Sequence, residues 1–276
     1  MPLPFSRGSL LVVACVAFPT LARAQTDFYN TDRDRPLRVE DAYVTERYAA
    51  ELKLASVRLQ RLSGGTYNWG LEPEIAVGIL PRTQLEVGLP LALIEQGSER
   101  RSGIAGLEFS AMHNFNVETE GMPALALRGD MLVPVGSLGP DRLYTSATGI
   151  ATRTYRWARF HVNGQYTFGT APAAGAATSA GIGGIDVSRW LMGGAIDKSY
   201  PLESSLVTAE LYGRKPLDSN SSVKYTAGAG MRVQLTPTLA ADGGLGRRVN
   251  GPEQGWYATF GTAWSFGVRS LFPGAH

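Results

Sequence analysis

The chain has 276 residues, with 26 Lys and Arg, 24 Asp and Glu and a single cysteine. Residues 1–24 carry Arg7 and Arg23 and no acid, so beyond them 26 − 2 = 24 basic residues stand against 24 acidic ones, a balance that gives no electrostatic case for nucleic acid. The one cysteine, Cys15, lies in that same segment, which excludes a disulfide, a thiolate nucleophile or a cysteine metal site from the remainder.

The first residues read as a secretory signal peptide. Arg7 precedes an apolar stretch over 9–18, and Ala22-Arg23-Ala24 forms a small-x-small cleavage site. A helical anchor is the weaker reading, because that stretch falls short of the ~18 apolar residues a spanning helix needs. A lipoprotein signal at Val13-Ala14-Cys15 is also weaker, because the apolar stretch before Cys15 is very short. Residues 25–46 are polar and irregular, with Thr31-Asp32-Arg33-Asp34-Arg35-Pro36, and are expected to form an extended periplasmic leader or a partial plug.

From residue 47 onward the pattern has period two. Over 47–60, Leu52 and Leu54 fall on one face and Val57 and Leu59 on the other, which predicts a bulge near Ala55-Ser56. The clearest unit is the hairpin over 67–93. Tyr67, Trp69, Leu71, Pro73, Ile75, Val77 and Ile79 alternate with small or polar residues, and after Leu80-Pro81-Arg82-Thr83 the series resumes with Leu85, Val87, Leu89, Leu91 and Leu93. These strands are roughly 11 to 13 residues long, against about 5 or 6 for an ordinary strand. A strand tilted at ~45° needs about 9 to 11 to cross a bilayer's hydrocarbon core.

Further along, Ala105, Leu107, Phe109, Ala111, His113, Phe115 and Val117 share one face, as do Leu125, Leu127, Met131 and Val133. The series continues with Phe160, Val162, Tyr166 and Phe168, then Trp190, Met192 and Ile196. It closes with Val223, Tyr225, Met231 and Val233, and finally Trp256, Phe260, Trp264 and Phe266. Residues 145–155 are weaker and 205–213 ambiguous in phase. The total is about twelve strands, an even number, as bacterial outer-membrane barrels have. Connections alternate too. Those at 80–83, 118–123, 155–157, 199–204 and 235–238 are short, while those at 95–102, 136–143, 169–185, 213–221 and 249–254 are generally longer. Short periplasmic turns and long external loops give that asymmetry.

Alternation alone permits a soluble lipocalin-like barrel with its apolar face inward. Aromatic residues near strand ends favour the membrane instead, as interfacial girdles: Tyr67, Trp69, Phe115, Phe168, Trp190, Trp256, Trp264 and Phe266. The opposite face, rich in Gly, Ala, Ser and Asn with mixed charges, fits a confined lumen. The candidate lumen-lining residues by phase are Glu72, Glu74, Glu86, Glu108, Arg128, Asp130, Arg159, His161, Arg189, Asp197, Lys224, Arg232 and Asp242. Such charges tune the selectivity of a solute path, or pair across strands and fill a narrow interior; pairing is the simpler account for most of them. Pro73, Pro90 and Pro134 remove ladder donors and belong at bulges or near the rims.

Signatures of enzymes are missing: there is no Gly-x-Ser-x-Gly elbow, Walker loop or His-Glu-x-x-His helix. The Gly- and Ala-rich loop over 169–184 lacks the lysine of a phosphate cradle. Of the three histidines, His113 faces lipid by phase, His161 the lumen, and His276 is terminal. His161 is half of the Ser-His pair that a barrel lipase would need.

Several residues resemble one family. These are Arg35-Pro36-Leu37 with Glu40-Asp41-Ala42, Pro73-Glu74-Ile75, the run Leu80-Pro81-Arg82-Thr83-Gln84-Leu85-Glu86-Val87-Gly88-Leu89-Pro90, and Trp264-Ser265-Phe266. They look like the outer-membrane β-barrel proteins named after the phenol meta-degradation pathway, within the long-chain fatty acid transporter superfamily. The resemblance implies a transporter, and no catalytic residues carry over from it. A departure is the tail over 267–276, since such barrels tend to end on an aromatic residue.

The expectation is therefore an all-β protein. It comprises a signal peptide (1–24), a leader or partial plug (25–46), an antiparallel transmembrane β-barrel (47–266) and a tail (267–276). It is expected to sit as a monomer in outer-membrane lipid and to pass small hydrophobic or aromatic solutes without a cofactor. The alternative is a plugged structural barrel whose external loops bind a partner.

Overall fold

The computed structural model describes residues 29–170, 187–217, 222–251 and 254–267. The signal peptide read at 1–24, most of the loop at 169–184 and the tail after residue 267 lie outside them.

The described chain is all β. Strand β1 is Ala49–Leu62. The next three are each broken into two pieces: β2 is Thr66–Leu71 and Glu74–Leu80, β3 is Thr83–Gly88 and Leu91–Gln96, and β4 is Glu99–Ile104 and Leu107–Asn114. Then follow β5 (Ala124–Val133), β6 (Tyr144–Thr154), β7 (Arg159–Thr167), β8 (Ser188–Ser199), β9 (Ser205–Pro216), β10 (Lys224–Thr236), β11 (Leu239–Arg248) and β12 (Gly255–Gly267). Every strand pairs antiparallel with its chain neighbour, and β12 returns to β1 from Ala49↔Gly267 to Leu62↔Gly255. The result is a closed barrel of 12 strands, which leaves no row of unpaired backbone groups for lipid to meet.

The faces divide as alternation demands. Ile75, Leu85, Val87, Phe109, Leu127 and Met131 are exposed on the outside, while Gln84, Glu86, Ser110, Arg128 and Asp130 are buried inside. Ala49 and Gly267 meet at the rim that also carries the turns at 81–82, 115–123, 155–158, 200–204 and 237–238. The opposite rim has tight turns at 63–65 and 97–98 but the long connections 134–143 and 168–187. By the loop rule the first rim is periplasmic. Exposed aromatics mark both ends: Tyr67, Trp69, Tyr166, Phe168 and Trp256 at the outer rim, Phe115, Tyr155, Trp157 and Tyr200 at the periplasmic one.

Irregularities have local causes. In β1 the register shifts between Leu54 and Val57, so the added residue keeps Leu52, Leu54, Val57 and Leu59 on the outer side. Pro73 and Pro90 fall in the breaks of β2 and β3, where their carbonyls accept the N–H groups of Leu89 (3.0 Å) and Ala105 (2.8 Å). Pro134 directly follows β5. Ala105 departs from the expected face: a bulge at Gly106, whose φ of 135° suits glycine, turns Ala105 inward against Ala92 and Leu138.

Candidate functional site: the lumen and the leader within it

Inward side chains of twelve strands create a polar tube, and residues 29–46 lie in it. Residues 35–42 are all buried. Having no ladder of its own beyond the bridge between Asp32 and Arg35, this irregular segment needs partners for its backbone, and barrel side chains supply them. The Glu210 carboxylate accepts the N–H groups of Arg38 (2.8 Å) and Val39 (2.9 Å). Asn163 accepts the Glu40 N–H and donates to the Glu40 carbonyl, both at 2.8 Å. The Thr152 hydroxyl accepts the Ala42 N–H (2.9 Å), Asn114 donates to the Ala42 carbonyl (2.7 Å), and Gln84 accepts the Thr45 N–H (2.7 Å). Thr259 donates to the Pro36 carbonyl (2.7 Å).

Both ends of the segment leave by the same rim. The Tyr29 hydroxyl donates to the Glu203 carbonyl (3.3 Å) in the 200–204 turn, and at the other end the Tyr48 N–H donates to the Gly78 carbonyl (2.9 Å). The passage beside β2 is tight. A Cβ on Gly78 would lie 2.0 Å from the Glu46 carbonyl oxygen.

Charges complete the fit. The Lys53 ammonium meets Glu86 (2.7 Å), Asp32 (3.2 Å) and Glu74 (3.2 Å). Arg128 reaches Asp130 (2.8 Å), Glu86 (3.1 Å) and Glu40 of the leader (3.3 Å). Arg33 pairs with Glu108 and, at 3.1 Å, with Asp130. On the far wall Arg232 meets Asp32 (3.0 Å) and Glu51 (3.3 Å), beside the Arg35–Asp242 pair (2.5 Å). A further group joins Arg159 and His161 to Asp197 (2.9 and 2.8 Å), with Asp41 3.8 Å from Arg159. Burial pushes the Asp41 carboxyl up to about 6, against the opposing pull of Arg159 and His161. Burial also opposes ionisation of Asp32, yet Lys53, Arg232 and Arg35 together hold its carboxyl down at about 2.

Two cavities flank the leader. The one toward the outer side is about 40 Å³ and is lined by Arg33, Asp34, Arg38, Glu72, Leu132 and Tyr144 among others, space for a few waters only. The one toward the periplasm is about 520 Å³ and is lined by Asn30, Asp32, Tyr43, Glu46, Arg47 and Arg82 among others. They share no lining residue.

Of the residues selected by phase, Glu74, Glu86, Glu108, Arg128, Asp130, Arg159, His161, Asp197, Arg232 and Asp242 lie in these ion-paired groups. Glu72 lines the outer cavity, and Lys224 is buried near the outer end of β10. Arg189 is a correction. The register shifts between Ser188 and Trp190, so Ser188 takes the inward place, while the Arg189 guanidinium lies 5.9 Å from the outward Tyr166 ring and donates to the Thr167 and Gly169 carbonyls. Phase reading also missed Glu51, Lys53 and Glu210. The signal existed for Glu51 and Lys53, which flank Leu52. It was weak for Glu210, because Leu206 and Tyr212 on its face are as apolar as Val207 and Leu211 opposite.

No protein-family model matches the chain, and no curated protein matches it. Solved structures do. The COG4313 outer membrane channel from Pseudomonas putida F1 superposes with a TM-score of 0.57 at 10% identity, over 82% of this chain and 98% of that one. The translocator domain of the autotransporter NalP from Neisseria meningitidis gives 0.50 at 10% identity, over 80% and 89%. The fold is that of an outer-membrane barrel. At these identities the likeness concerns architecture alone.

Proposed function

We propose that the protein is a monomeric outer-membrane channel for passive passage of small solutes, with hydrophobic or aromatic solutes as its preferred class. The observation that carries this reading is a closed barrel whose charged lumen is filled by a segment that enters and leaves at the periplasmic rim. Such a segment can withdraw without threading, and every ion pair it gives up is exchanged for water as the lumen floods. The preference for apolar solutes is supported at the outer mouth, where Leu132, Tyr144 and Leu217 form a buried inward cluster with Val187 packed on it, beside the carboxylates of Glu72 and Glu108. Catalysis is disfavoured: Thr152, the hydroxyl partner of His161 at 3.0 Å, is fully buried and already accepts the Ala42 N–H.

The filled lumen equally favours a second reading, a permanently plugged barrel whose external loops bind a partner. Solute uptake separates the two. Liposomes holding the full chain should take up small aromatic acids and neutral aromatics faster than empty liposomes, and faster still when residues 29–45 are deleted. Uptake at the empty-liposome rate by the full chain, whatever the deletion form does, would leave the plugged barrel as the account.

A further inference from the structure

Near the outer rim four side chains form one row across the outside of the barrel. Register pairs Arg247 of β11 with Trp256 of β12, Trp256 with Arg61 of β1, and Arg61 with Tyr67 of β2. All four are exposed. The Arg247 guanidinium lies 5.2 Å from the Trp256 ring centroid and that of Arg61 lies 5.9 Å from Tyr67, so each cation rests on an aromatic face. Among the described residues neither guanidinium has a carboxylate partner, in contrast to Arg128 and Arg232 in the lumen. The next members of the row, Glu95 and Arg100, satisfy each other at 2.7 Å and bound it on that side.

Two cations that no carboxylate of the described residues compensates sit on the lipid-facing side of the aromatic girdle, where headgroups meet the apolar band. A guanidinium is weakly hydrated and presents a planar fork that suits phosphate. Arg61 and Arg247 are two strand spacings apart, about 10 Å, a span that a headgroup carrying one phosphate does not bridge. We propose that Arg61, Trp256 and Arg247 form a binding site for a glycolipid of the outer leaflet bearing two phosphate groups, one on each guanidinium, with the sugar between them over the indole. This placement rests on the outer-membrane orientation adopted above.

The test titrates the full-length protein in detergent with bis-phosphorylated lipid A, its dephosphorylated form and phosphatidylglycerol, followed by native mass spectrometry. The bis-phosphorylated lipid should bind about tenfold or more tighter than the other two, and Arg61→Gln with Arg247→Gln should remove that advantage while the heat-dependent gel mobility of a folded barrel is kept. Equal binding of phosphatidylglycerol, or unchanged lipid A binding by the folded double variant, overturns the proposal. Solute uptake by the same double variant should match the unsubstituted protein, so loss of lipid binding with intact uptake, and the reverse, report on the two readings separately.

Discussion

Lys53 holds three carboxylates, two from the wall and one from the leader, and is itself almost inaccessible. Removing one partner of a buried ion pair costs about 3–5 kcal/mol. In this lumen a lower route exists, since undocking the leader admits water to Asp32, Glu74 and Glu86. Lys53→Met should therefore leave a barrel that still shows heat-dependent mobility, but expose the leader. A cysteine reporter at Ala42, unique once the segment holding Cys15 is removed, should then react with a water-soluble maleimide; continued protection would contradict the assignment.

Asp41 gives the pH dependence of the same equilibrium. Its docked carboxyl titrates near 6, above the ordinary 3.8, so the docked state binds the proton more tightly and gains on the undocked state as pH falls through that window. Because maleimide attacks the thiolate, the rate is taken relative to an exposed cysteine at the same pH, and that relative labelling at Ala42→Cys should slow from pH 7.5 to pH 5. Asp41→Asn should flatten that change, and an unaltered slope in this variant would remove Asp41 from the account.

At the scale of elements, the strands were legible because period two leaves a one-residue slip nowhere to hide when one side meets lipid. The same strictness explains the errors. A single added residue at Gly106 or beside Ser188 reverses the phase, and neither Ala105 nor Arg189 carries a local signal of it. The leader's partners were illegible for a different reason: it has no period, and its backbone is read by Asn163, Thr152 and Glu210, which are distant in sequence. Where the leader joins β1, the contact at Gly78 admits no side chain. Gly78→Ala should destabilise by about 1–3 kcal/mol, seen as a lower temperature for loss of barrel mobility. Gly129→Ala, with nothing within 4 Å of its Cβ position, should be neutral. Equal behaviour of the two would show that the join is not tight.

The whole molecule combines a closed wall with an interior that is mostly polar and holds many of its charges. Its ion pairs join the leader to β1, β4, β5, β7, β10 and β11, so the leader and the barrel form one packed unit although no regular element links them. Inside, the buried apolar side chains gather into small separate clusters rather than one core, and most of the large exposed apolar side chains face outward to lipid. Such an interior is soft to water, and a leader held by ion pairs in a floodable tube should release more readily as salt rises. Conductance of single barrels in a planar bilayer tests the central claim most directly. The full chain should be mostly closed with brief openings that grow more frequent in high salt, and deletion of residues 29–45 should give a larger, steady conductance. Identical traces from the two forms would contradict it.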